Sequence, residues 1–266
     1  MSCVNCGAEV TGTYCANCGQ RSTVKRLSFR EGWNDFWARI YGFDGMFPRT
    51  LRDLTIRPGV VSRNYLAGNR VKYYAPVGYF FFVITLLYLV ASLLNVEMIE
   101  YLRASSDVGL QEAPKPGSGQ EKYMQYLLQK MSDNMKLLSF AIIPFQAFSA
   151  RYIFFRKSGY NFIENMVLPF YMQGHTNWLN ILSVILFSIT GSFISPVFLG
   201  LLIVFYFCYG YAVFMDYQKF WKAFFKGFLL YIVSNVFFMI AVMAVMLVVI
   251  FTDNEVYEML KPSNNR

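Results

Sequence analysis

The chain has 266 residues, of which 56% are hydrophobic, 19% aromatic and only 15% charged. Soluble domains carry about 25% charged residues, so this balance excludes an ordinary soluble protein and points to an integral membrane protein. The net charge of +8 fits nucleic acid, anionic lipid or the positive-inside bias of a membrane protein, and only its distribution can decide between them.

The first element is "SCVNCGAEVTGTYCANCGQ", with Cys3, Cys6, Cys15 and Cys18 in a C-x2-C-x8-C-x2-C pattern. Two such pairs can give four thiolates to one tetrahedral Zn2+. Gly7 and Gly19 follow the pairs, where a tight turn favours a residue that tolerates positive φ. The stretch between the pairs is too short for a helix and a return. It suits a short hairpin with Gly12 near its turn. So small a segment, residues 1–20, cannot bury a self-sufficient core, and a metal would have to hold it together. Four thiolates leave no open position, so the predicted zinc ribbon is structural. Two disulfides and a rubredoxin-like iron are the alternatives. The segment has no apolar h-region, so insertion is expected through an internal span.

Residues 21–74 are basic and aromatic, and are predicted to be cytosolic amphipathic juxtamembrane helices. Trp33, Phe36, Trp37, Ile40 and Tyr41 recur at helical spacing, and Ser28 with Glu31 matches a capping box. Next, "MFPRTLRDLTIRPG" puts Phe47, Leu51 and Leu54 on one face and is expected to end at Pro58-Gly59. A third short helix is predicted from Val60 to Ala67. Such stripes pack either on membrane lipids or on the protein's own helix ends, and a stripe alone does not separate the two. Nucleic acid is not expected, because the basic residues are interleaved with apolar ones.

The membrane domain, residues 75–252, is read as five spans at about 75–96, 137–155, 165–189, 193–215 and 227–252. An external loop covers 97–136 and a polar tail 253–266. Between Glu164 and Asp216 lie 51 residues without Asp, Glu, Lys or Arg, too many for one span and right for two. Thr190–Pro196 is the expected turn. Pro144, Pro169 and Pro196 are expected to kink their spans. Cys208, alone in an apolar stretch, reads as a small buried hydrophobe. The fold class is thus an all-α integral membrane protein, about five transmembrane helices with a small N-terminal zinc ribbon.

With the N-terminus inside, the cytosolic segments carry 17 Lys/Arg against 7 Asp/Glu, and the external ones 7 against 9. This is the asymmetry of the positive-inside rule, and it accounts for the basic charge. A reducing cytosol also favours zinc thiolates over disulfides.

Few polar residues enter the spans. Gln173, His175, Asn177 and Asn180 fall in the third, with Glu164 and Asn165 at its entry. Glu164, His175 and Arg70 form a candidate intramembrane polar site, since ionisable groups in spans are functional candidates by default. The alternative for His175 is a neutral imidazole hydrogen-bonded between helices. Enzyme patterns are thin. One histidine excludes the two-histidine zinc motif, and there is no G-x-S-x-G or phosphate-cradling loop. Ser149, Ser183 and Ser188 leave an intramembrane Ser–His pair open, but their spacing does not favour it. No catalytic residue is assigned.

Three stretches carry a family likeness. They are the ribbon (Cys3, Cys6, Gly7, Tyr14, Cys15, Cys18, Gly19, Gln20), "TL-x-DL-x-x-x-PG" (Thr50, Leu51, Asp53, Leu54, Pro58, Gly59) and Tyr65, Gly68, Asn69, Arg70, Tyr73 and Pro76 before the first span. Together they resemble an uncharacterised bacterial family of inner-membrane proteins, a domain of unknown function. Asn69 stands where that family has lysine. Tyr160–Asn165 resembles a further element that usually ends in histidine. The resemblance implies a bacterial cytoplasmic (inner) membrane location and zinc, and no activity. The expected function is a non-enzymatic membrane protein docking or scaffolding a protein partner at the cytosolic face. A small transporter or channel subunit is the alternative, and an intramembrane lipid- or peptide-modifying enzyme the weaker one.

Overall fold

The computed structural model describes residues 2–3, 6–18, 45–68, 72–106 and 119–252. The chain divides into two compact units, Met1–Gly45 and Met46–Arg266.

In the first unit the Cys3 N–H donates to the Ala8 carbonyl at 2.8 Å and the Gly7 N–H to the Cys3 carbonyl at 2.9 Å. Ser2 and Glu9 form an antiparallel bridge. Gly7 has φ +72°, and the chain bends at Gly12. Gly19 and the stripe from Trp33 to Tyr41 lie outside the described residues.

In the second unit the regular elements among the described residues are all helical. They are α1 Met46–Ile56, α2 Pro58–Leu66, α3 Pro76–Leu93, α4 Met98–Ser106, α5 Gly119–Asp133, α6 Met135–Phe148, α7 Glu164–Thr190, α8 Pro196–Phe214 and α9 Phe220–Thr252. A π-helical turn, Ser149–Phe154, prolongs α6. Residues 97–136, read as a loop, thus hold α4 and α5. Pro144 and Pro169 sit inside α6 and α7. Pro196 opens α8 and Pro58 opens α2. Pro196 thus starts a helix instead of kinking a span, and Pro58, just past the end of α1, starts the next one, because the missing N–H costs nothing in a first turn. Gly191, at φ +71°, ends α7, and across the following turn the Phe187 and Phe193 rings stack at 3.9 Å.

Among the described residues, four helices are long and apolar enough to cross a membrane: Pro76–Leu93, Met135–Phe154, Pro196–Phe214 and Phe220–Val249. The fifth long helix, α7, has 27 residues, about 40 Å at 1.5 Å per residue, but falls short of them in apolar character. It occupies the centre of this unit, packed against α1, α2, α3, α6 and α8. Its Asn165, Thr176, Asn177 and Ser183 are buried. A helix enclosed by protein needs no continuous apolar face toward lipid, so its polar residues are tolerated where partners meet them.

Helices α1 and α2 pack on protein. The buried face of α1 is Phe47, Thr50, Asp53 and Leu54, so two polar residues share it with two apolar ones. Helix α2 lies against α7 and α8. A Cβ on Gly59 would stand 2.3 Å from the Phe214 nitrogen and 2.7 Å from the Gly210 oxygen, so the two backbones touch. Leu54, Val61, Tyr79, Val83 and Tyr171 build one core across these elements.

Candidate functional site

The four cysteines of the first unit are brought together. Their Sγ atoms all lie within 4.8 Å of one another. Cys3 and Cys18 are 3.5 Å apart and Cys6 and Cys15 3.6 Å. No disulfide joins them. A tetrahedral metal with sulfur at about 2.3 Å has ligand edges of about 3.8 Å, so this donor set fits one four-coordinate ion. Cys3 and Cys15 are buried against Val10 and Ala8, while Cys6 and Cys18 are exposed. The Ala8 backbone N–H, together with Cys18 and Asn17, pulls the Cys6 thiol down to about 6, so a thiolate is available near neutral pH.

In the second unit His175 sits at the meeting of four helices. Its ring stacks between Tyr79 of α3 and Tyr206 of α8, with centroids 6.4 and 5.6 Å away. One assignment of protons satisfies all of its bonds. The Trp178 indole only donates, and bonds the Tyr79 hydroxyl at 3.1 Å. Tyr79 therefore has its own proton free to give to His175 Nδ1, at 3.0 Å. On the other side the Thr55 hydroxyl donates to the Leu51 carbonyl at 2.9 Å and lies 3.1 Å from His175 Nε2. The tautomer with its proton on Nε2, donated to Thr55, gives every one of these groups a partner. The result is a complete chain, Trp178 to Tyr79 to His175 to Thr55 to Leu51, with a neutral imidazole at its middle.

The other two members of the expected site do not join it. Glu164 accepts from the Asn161 N–H at 2.7 Å, and Asn161 Oδ1 accepts from the Glu164 N–H at 2.9 Å. This reciprocal pair is a capping box at the start of α7. Eleven residues, about 16 Å of helix, separate Glu164 from His175. Asn165 likewise bonds the carbonyls of Tyr160 and Asn161 at the same turn. Arg70 lies outside the described residues.

The residues that sequence reading missed are the partners. Asp53 accepts from Tyr73 at 3.0 Å and from Arg52 at 2.9 and 3.0 Å, with Arg57 at 3.8 Å. Burial works to raise its pKa, but these donors and charges outweigh burial and hold the carboxyl below its ordinary value. Thr50 accepts from the Tyr74 N–H at 2.9 Å. Tyr171 donates to the Tyr74 carbonyl at 2.6 Å. The last carbonyls of a helix lack partners within it. Here Leu54 and Ile56 receive Tyr206 and Tyr209 of α8, each at 2.9 Å. The available signal was the placing of Thr50 and Asp53 at three-residue steps from Phe47, on its own face of the helix.

Residues 44–88, which include α1, α2 and most of α3, match a family described as a protein of unknown function (DUF3667). The cysteine ribbon and everything after residue 88 fall outside that match. No curated protein and no solved structure matches the chain.

Proposed function

We propose that the chain is a non-enzymatic, multi-pass protein of the bacterial cytoplasmic (inner) membrane that docks or scaffolds a partner through a cytosolic zinc ribbon. In this reading α7 is a fifth span, packed against α3, α6 and α8, and the N-terminus is cytosolic. Cys3, Cys6, Cys15 and Cys18 hold Zn2+, which supplies folding energy to a segment too small to fold without it. The observation that carries the reading is the complete sulfur set around one point. Four thiolates fill a tetrahedral ion and leave no position for a substrate. The polar groups nearest a catalytic arrangement, His175 and Glu164, are engaged in helix-to-helix and capping bonds.

The test is cross-linking and affinity capture of the full chain from membranes, with wild type and Cys15→Ser at equal expression. The reading expects a defined set of partners that the variant loses. An unchanged set overturns it.

A second reading, a small transporter or channel subunit, draws on Gln146 and Ser149. Both are fully buried at the end of α6 and neither side chain has a hydrogen-bond partner. Open polar groups inside a bundle are where a hydrophilic solute would be held. This reading expects His175→Ala to lose flux in proteoliposomes while inserting normally, and wild-type flux rejects it.

A further inference from the structure

A groove of about 550 Å³ runs between α6 and α9. Its walls include Phe145 and Phe148 of α6, Phe162 of the following turn, and Phe237, Ile240 and Ala241 of α9. No residue on its lining is charged. The Phe145–Phe238 and Phe148–Phe237 rings, 5.8 and 6.4 Å apart, set how closely the helices approach. The alanines beyond them leave the space open.

The chemistry changes at one end of the groove. Past Phe148 the chain carries Arg151, Arg156 and Lys157, and at the start of α9 it carries Lys219, Lys222 and Lys226. The Lys226 ammonium reaches across to α6, donating to the Phe154 carbonyl at 3.2 Å and lying over the Phe155 ring at 5.6 Å. Lys222 and Lys157 are both close enough to repel it. The neighbouring acids are committed elsewhere. Asp216 pairs with Arg63 at 2.6 Å, and Glu164 closes its capping box with Asn161. Arg151 and Arg156 donate to the carbonyls of Arg156 and Tyr152. No carboxylate pairs with Lys157, Lys222 or Lys226 among the described residues.

We propose that this groove and the lysines at its end bind one anionic phospholipid, with an acyl chain between α6 and α9 and the phosphate among Lys157, Lys222 and Lys226. Each half explains the other. Like charges gathered at a membrane interface repel until an anion sits among them, and a phosphate does this at close range. The apolar groove holds the chain that this phosphate brings. Phe148 is one turn from Arg151, and Lys226 lies eleven residues before Phe237, about 16 Å along α9. The flexible lysine stem spans part of that distance toward Phe154, leaving the length of a glycerol ester for the lipid to bridge. A neutral lipid would fill the groove equally well but would leave the lysines unanswered. The proposal needs only that the chain sits in a bilayer, so it stands or falls apart from the docking role.

The test is native mass spectrometry of the full chain in detergent, titrated with dioleoylphosphatidylglycerol or dioleoylphosphatidylcholine. One copy of the phosphatidylglycerol is expected to stay bound, with at least a tenfold preference over the phosphatidylcholine. Lys157→Gln, Lys222→Gln and Lys226→Gln, all near the surface, should each weaken binding about fivefold, and the triple variant about a hundredfold. Ala241→Phe should weaken both lipids. Should that variant not fold, competition of the wild type with sn-glycerol 3-phosphate replaces it, and this chainless head group should not displace the lipid. The proposal is overturned by equal retention of the two lipids, by wild-type affinity in the triple variant, or by displacement with glycerol phosphate. It is also overturned if a second copy of the chain buries the groove.

Discussion

Asp53 keeps its charge in a nearly closed site because donors converge on it from its own helix and from Tyr73. Its side chain is 2% exposed. Removing the charge should leave the Tyr73 hydroxyl and the Arg52 fork poorly matched, and Asp53→Asn is expected to cost about 2 kcal/mol of stability. The sign of its pH dependence follows from the depressed pKa. A carboxyl that is more acidic folded than unfolded adds stability above its unfolded value, about pH 4, and that part is lost as pH falls through the folded value. Thermal unfolding in detergent from pH 7 to pH 3 should therefore show a steeper acid loss in wild type than in Asp53→Asn. Parallel curves would refute the assignment. His175 is built into a different kind of chain. Tyr79→Phe strips a partner from both Trp178 and His175 in a buried site and should cost about 1–3 kcal/mol, more than Thr55→Val, which removes two bonds of an exposed hydroxyl that water can replace. Equal effects in the two variants would refute the central place of Tyr79 in the chain.

At the scale of elements, the short pair α1–α2 behaves as a clasp. It lies against α7 and α8, with the backbones of α2 and α8 touching at Gly59 and the final carbonyls of α1 taken by the tyrosines of α8. Gly59→Ala should be severe, because the new Cβ meets backbone atoms that cannot rotate away. We expect a loss above 2 kcal/mol and early aggregation on size exclusion. Gly200→Ala, inside α8 with nothing within 4 Å of its Cβ, should instead stabilise by up to about 1 kcal/mol. The contrast is the check: if both glycines tolerate alanine equally, the close crossing of α2 and α8 is wrong. The amphipathic stripe announced that α1 had an apolar side, but lipid and protein look alike to a stripe. Thr50 and Asp53 on that same side are what separate them, since only a protein partner supplies the Tyr73 hydroxyl and the Tyr74 amide.

At the scale of the whole molecule, the cysteine cluster and the charge asymmetry make linked predictions. The purified chain should carry one equivalent of zinc, and cobalt exchanged into it should show thiolate charge-transfer absorption. Cys15→Ser should lose most of the metal and that spectrum. In intact cells a membrane-impermeant maleimide should leave the ribbon unlabelled, and should react after permeabilisation with a chelator present. Labelling from outside would reverse the proposed orientation.

The class of molecule was legible from composition, and the cysteine cluster from spacing, because both depend on which residues are near one another in the chain. The four apolar helices were legible for the same reason, since lipid asks only for a run of apolar residues. What the tertiary structure alone decided was where the polar residues went. Glu164 turned out to serve its own helix end, three residues from Asn161. His175 turned out to join Thr55 and Tyr79, 120 and 96 positions away along the chain. A hydrogen bond between distant segments leaves no periodic trace in a sequence. It is chosen only when packing brings two unsatisfied groups together out of water, where leaving either one open would cost more than the bond returns.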